Sequence, residues 1–169
     1  MDMKLEGNGV VIRDLTAEDA AALCRIAHEA PIEKFVPQLS DGLNAPEDYL
    51  PLIEKQDGSL YAIARKDNDE LIGAIGVQLH PDLNEKALIY CTSDACKGMG
   101  FTKEAVTLFT DWALRNADTP YLVLAVDENN ASAARLAEKC GFTLSERRVT
   151  VSHRLLGMTG DTYLYFRKY

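Results

Sequence analysis

The stretch from Ala87 to Ala105 constrains this chain more than any other. Ala87-Leu-Ile-Tyr-Cys-Thr92 reads as a strand, and Lys97-Gly-Met-Gly-Phe-Thr-Lys-Glu-Ala105 puts two glycines directly before a helix-forming run. The first amides of a helix have no internal acceptor, and the helix dipole adds partial positive charge at that end. A strand that turns into a helix here therefore presents a group of outward amides at its tip. Gly98 and Gly100 leave the backbone open and Lys97 adds a formal charge. A phosphate or pyrophosphate is the natural guest. The same pattern also makes an ordinary tight turn, and the loop alone does not choose between the two. No G-x-x-x-x-G-K-[ST] string occurs, and Lys103 holds the third glycine position of a dinucleotide fingerprint.

The surrounding pattern alternates strands and helices. Val10-Val-Ile-Arg13 predicts a short strand, and Thr16-Ala-Glu-Asp19 an N-cap with an acidic first turn for a helix that runs to about Ala30 and is ended by Pro31. Residues 31–58 hold four prolines and read as a loop with one or two short helices, centred on Pro46 to Lys55. An irregular segment of this kind either shapes a substrate pocket or is a mere connector. Leu60–Arg65 and Leu71–Leu79 flank Lys66-Asp-Asn-Asp-Glu70 as a hairpin.

Beyond the glycine loop, Ala105, Leu108, Phe109, Trp112 and Ala113 recur on one face of a helix over Phe101–Arg115. Tyr121–Val126 is a nearly continuous apolar strand of the kind buried on both faces. Asn130–Cys140 predicts an amphipathic helix capped by Gly141, and Leu144–Arg154 and Thr162–Arg167 a closing pair of strands. The expected fold is α/β, a mixed sheet of about seven strands, mostly antiparallel with a central parallel pair, and helices on both faces. No repeat or linker divides the chain, so residues 1–169 are expected to form one domain.

Charge and composition exclude several classes. A net charge of −8 disfavours nucleic acid, which calls for a basic stripe. Residues 142–169 carry +3 and the remainder −11, which suits either an anionic cofactor or a solvated sheet face. No apolar run reaches membrane-spanning length, and the start of the sequence lacks the pattern of a signal peptide. Cys24, Cys91, Cys96 and Cys140 are scattered without a C-x-x-C pair, which argues against disulfide or zinc frameworks and for a cytoplasmic protein with no metal.

Four strings, in order and at matching spacings, give the chain its resemblance to a known family. Arg13-Asp-Leu-Thr-Ala-Glu-Asp-Ala20 resembles an opening R-x-L-x-x-x-D-A, and Leu71-Ile-Gly-Ala-Ile-Gly76 an L-I-G-x-I-G strand. Tyr90 with Lys97–Ala105 is similar to Y-W followed by G-K-G-Y-A-T-E-A, and Asn130 with Glu138-Lys-Cys-Gly-Phe142 to N-x-x-S-x-x-x-x-E-K-x-G-F. Together they resemble the GNAT N-acetyltransferases, in the branch of the RimJ/RimL protein N-terminal acetyltransferases.

The resemblance implies acetyl-CoA as donor, with its pyrophosphate on the amides of Gly98, Met99, Gly100, Phe101 and Thr102 beside Lys97. In this fold the strands at 86–92 and 121–126 splay apart, leaving backbone groups of Cys91 and Thr92 for the pantetheine arm, which Asn130 would also hold. The chemistry asks for positioning, removal of a proton from the amine, stabilisation of an oxyanion by an amide near Tyr90–Thr92, and protonation of the sulfur.

The resemblance is weakest at the catalytic groups. Relatives carry a serine where this chain has Ala133, with Ser132 one residue early, and one helical step turns a side chain by about 100°. They carry a glutamate where this chain has Ser152, next to His153. Histidine suits a base at neutral pH, but adjacent strand residues face opposite ways. Ser132, His153 and Tyr90 are therefore the catalytic candidates. Glu146 is a further one, and water or the substrate's own pKa could also handle the proton. The resemblance implies a primary amine as acceptor, of a protein N-terminus or a small molecule. A CoA-binding sensor without turnover is the alternative, and the branch leaves a homodimer open.

Overall fold

In the computed structural model, residues 2–80, 83–116, 118–149 and 162–169 are described. Eight strands form one sheet in the order β1-β2-β3-β4-β5-β6-β8-β7. The first four are β1 (Lys4–Glu6), β2 (Val10–Arg13), β3 (Tyr61–Arg65) and β4 (Leu71–Leu79). They are followed by β5 (Lys86–Thr92), β6 (Leu122–Asp127), β7 (Thr143–Val149) and β8 (Thr162–Lys168). Every neighbouring pair is antiparallel except β5 and β6, which run parallel because α4 (Phe101–Asn116) carries the chain between them. The mixed sheet matches expectation. The additional strand is β1, whose three residues alternate too briefly to signal a strand.

The helices divide between the two faces. Ala105, Val106, Phe109 and Ala113 of α4 and Ala137 of α5 (Ala131–Lys139) bury against Ile12, Ile63, Ile75 and Leu88. On the other face α1 (Ala20–Ala27) packs Leu23 and Ile26 with Tyr49, Ala62, Ala74 and Cys91. Alternate β5 residues thus serve opposite layers: Leu88 and Tyr90 face α4, Ala87 and Cys91 the other side.

Pro31 does not stop the first helix. α1 ends at Ala27, and Pro31 sits in the first turn of a further helix, α2 (Ala30–Phe35), where its missing N–H costs nothing. The segment 37–55 adds short 3-10 turns at Pro37–Leu39 and Pro46–Tyr49 and then α3 (Leu50–Lys55), close to the short helices expected there. The penultimate strand is described only as Thr143–Val149, and the rest of the predicted Leu144–Arg154 lies outside the described residues.

Candidate active site

β5 and β6 share a single bridging pair, Ala87 with Val123, and then part. Register shows which groups line the gap. Ser93 N donates to Ile72 O at 2.7 Å, in step with the Thr92–Gly73 and Cys91–Ala74 pairs, so odd-numbered β5 residues bond to β4. The amides and carbonyls of Tyr90 and Thr92 therefore point into the gap. On β6, Glu128 N bonds to Thr162 O at 3.1 Å, which by the same alternation turns Ala125 toward it. This corrects the expectation for Cys91. Its main chain is committed to β4 and its thiol, pushed up to about 12 chiefly by burial, sits in the α1 layer. Cys91 contributes to the wall, and Tyr90 supplies the free backbone groups.

The gap widens into a cleft of about 450 Å³ that runs from Leu88 to the glycine loop. At that end the hydroxyls of Thr92 and Thr102 lie 2.7 Å apart, tying the tip of β5 to the first turn of α4. Glu104 Oε1 accepts from Gly9 N at 2.8 Å and Val10 N at 3.0 Å, which anchors the same turn to β2.

In the loop, Gly98 and Gly100 take φ of +83° and +79°, the left-handed region that favours glycine, with nothing within 4 Å of where a side chain would begin. The first helical acceptor pairing is Glu104 N to Gly100 O at 3.2 Å. Among the described residues, the amides of Gly98, Gly100, Phe101 and Thr102 meet no protein acceptor. Met99 departs from expectation, because its amide donates to Cys96 O at 3.3 Å and its side chain is 48% exposed. Lys97 is exposed and borders the cleft. Four free amides, open space and a cation make a donor set that fits a diphosphate.

Across the cleft, Asn130 caps α5 by accepting from Ala133 N at 3.3 Å. Ser132 Oγ bonds to the same Asn130 oxygen at 3.3 Å. Both residues line the cleft, and Ser132 is held at its rim by the cap. The far wall comes from α2, through Pro31, Ile32 and Phe35. Glu29, which precedes α2, accepts from Ser93 Oγ and Asp94 N, each at 2.8 Å, joining that wall to the end of β5.

The family profile described as an acetyltransferase (GNAT) domain matches residues 10–143. The chain belongs to the GNAT acetyltransferases.

Within that family it is 25% identical over 119 residues to the uncharacterized N-acetyltransferase YjdG of Bacillus subtilis (strain 168), covering 68% of this chain and 71% of that one. The acetyltransferase (GNAT family) structure from Bacillus anthracis aligns with TM-score 0.80 and 15% identity over 98% of this chain and 97% of that one. RimL, the ribosomal L7/L12 alpha-N-protein acetyltransferase solved with coenzyme A, aligns with TM-score 0.76 and 15% identity over 98% and 97%. At these identities the two structures show a common fold.

In this GNAT acetyltransferase the catalytic candidates divide by position. Tyr90 lines the cleft, half-buried on the α4 face, and burial pushes its phenol above the ordinary value of 10, so it stays protonated at neutral pH. His153 and Ser152 lie outside the described residues. Glu146 is engaged by Arg148 at 2.7 Å and Arg167 at 3.3 Å and does not line the cleft. Asp127, at the end of β6, is a buried cleft residue one position beyond the Tyr121–Val126 strand that the sequence predicts. Among the described residues no three His, Cys, Asp or Glu are grouped for a metal, and no helix is long and apolar enough to cross a membrane.

Proposed function

We propose that this protein is an acetyl-CoA-dependent N-acetyltransferase of the RimJ/RimL-like branch, acting on a primary amine in the cytoplasm. One observation carries the reading: β5 and β6 part after one bridging pair, and the gap opens onto four unpaired amides at the start of α4. Acetyl-CoA, when bound, supplies the activated acyl group as a thioester. The amides of Gly98, Gly100, Phe101 and Thr102, with Lys97, hold its diphosphate, and Met99 lies over it through its exposed side chain. Thr92 and Tyr90 offer unpaired main-chain groups to the pantetheine arm in the manner of an added strand, and Asn130 borders it from α5.

The amine enters from the α2 side, opposite α4. The Tyr90 or Thr92 amide faces the position where negative charge develops on the carbonyl oxygen. In this reading the protonated Tyr90 phenol gives a proton to the departing sulfur and regains one from the attacking amine by way of water. Ser132, held to Asn130, orders the cap of α5 and touches the rim.

A thiol-release assay with acetyl-CoA over amines, peptides and aminoglycosides tests the reading: thiol appears only when an accepted amine is present. Tight acetyl-CoA binding with no release on any acceptor defeats turnover and favours a sensor, the reading that Ala133 in place of a serine supports.

A further inference from the structure

At the start of β5, the end away from the glycine loop, a second cavity of about 310 Å³ opens on the α4 face of the sheet. None of its residues lines the cleft. Its floor is aromatic: the Tyr61 ring lies 5.9 Å from Phe109 and, edge-on at 84°, 6.3 Å from Trp112. Phe109 belongs to the core, but Tyr61 and Trp112 are only partly buried, and Leu79 at the lip is 61% exposed.

Two opposite charges flank this floor. Asp57 stands in the turn before β3, where its Oδ1 accepts from Ser59 N at 3.0 Å and from the Ser59 hydroxyl at 2.5 Å. Those two bonds, with a smaller through-space contribution from Lys55, hold its carboxyl below the ordinary 3.8. Its Oδ2 has no partner among the described residues. The turn is pressed onto β4, since a side-chain carbon on Gly76 would come within 1.9 Å of Ser59 O. Lys86 stands on the other side of β4, paired with Leu79 in the sheet. Its Nζ donates to Asp118 O at 3.3 Å, and no carboxylate pairs with it among the described residues. With β4 between them, the main chains that carry the two charges run roughly 10 Å apart.

We propose that this cavity is a second ligand site, for a free α-amino acid with an apolar side chain. The ligand's ammonium pairs with the open oxygen of Asp57 and its carboxylate with Lys86. Its side chain lies over Tyr61 and Trp112, against Leu79. Such a molecule joins both charges and an apolar group at one carbon, which is the combination the lining leaves unanswered. An amine without a carboxylate leaves Lys86 unmatched, and a carboxylic acid without an amine leaves Asp57 unmatched. No cleft residue takes part, so the inference stands apart from the acetyl-transfer reading.

Trp112 is the chain's one tryptophan, so its fluorescence reports on this cavity. The test titrates L-leucine, 3-methylbutylamine and 4-methylpentanoate into the natural protein, Asp57→Asn and Lys86→Met, read by Trp112 emission and by calorimetry. Leucine should give a saturable change, and each analogue lacking one charge should bind at least about tenfold more weakly. Asp57→Asn keeps an acceptor for Ser59 and Lys86→Met keeps the apolar stem. Both should melt within about 2 °C of the natural protein and lose leucine affinity by about tenfold or more. The leucine signal should persist with coenzyme A at saturation. Equal binding of the three compounds, unchanged leucine affinity in either variant, or a signal that coenzyme A abolishes overturns the inference. So does the absence of binding by both readouts up to roughly 10 mM leucine.

Discussion

Thr92 and Thr102 place their hydroxyls 2.7 Å apart, so the strand that borders the cleft and the helix that opens at its end are locked to each other by one short hydrogen bond. The bond fixes where the first amides of α4 point relative to the main-chain groups of β5. Thr102→Val keeps the shape and removes the bond. The expected cost in stability is about 1 kcal/mol. The acetyl-CoA dissociation constant, read by calorimetry, should rise several-fold while the circular dichroism spectrum is retained. An unchanged dissociation constant would show that the two elements hold their relation without the tie.

Gly100 has room for a side chain but not the backbone for one. Its φ of +79° is a region that β-branched residues rarely occupy, and nothing lies within 4 Å of the added carbon. Gly100→Val should therefore keep the fold, at a cost on the order of 1–2 kcal/mol, and rebuild the loop. Acetyl-CoA binding should disappear in calorimetry while the protein still melts cooperatively. Binding at natural strength would place the diphosphate elsewhere.

At Gly73 the obstacle is the neighbouring strand. A side-chain carbon there would come within 2.0 Å of Cys91 O, in the β4–β5 pairing that forms one wall of the cleft. Gly73→Ala should destabilise severely, by roughly 3 kcal/mol or more, with a matching fall in denaturation midpoint. A midpoint within error of the natural protein would mean that β4 and β5 pair less closely than described.

Arg13 grips both oxygens of Asp19, at 2.8 and 3.0 Å, and reaches Asp69 at 2.8 Å. Desolvation raises the Asp19 pKa, but the Arg13 hydrogen bond and the Thr16 amide outweigh it and hold the group below its ordinary 3.8. A folded-state value below the unfolded one means the stabilisation is complete above pH 3.8 and fades as pH falls through the folded value. Asp19→Asn should therefore cost about 1–2 kcal/mol near neutral pH, with the gap to the natural protein closing in acid. A gap that stays constant between pH 7 and about 3 would contradict the assignment.

Much of the fold was legible because its signals are local. The opening Arg13-to-Asp19 string marks the clamp just described, the glycine pair marks a backbone that must take positive φ, and the apolar run before Asp127 marks a strand covered on both faces. Other features depend on relations between distant segments. Pro31 reads as a stop from its neighbours, yet it sits in the first turn of α2, just after Glu29, whose carboxylate is held by the distant Ser93 and Asp94. The parity that frees Tyr90 instead of Cys91 is set by pairing with β4, and nothing in the strand's own residues encodes it.

A crystal structure with coenzyme A bound tests the central claim most directly. The diphosphate oxygens should lie about 3 Å from the amide nitrogens of Gly98, Gly100, Phe101 and Thr102, with the arm entering between β5 and β6. A diphosphate seated away from this turn, with those four amides still empty, would contradict the account.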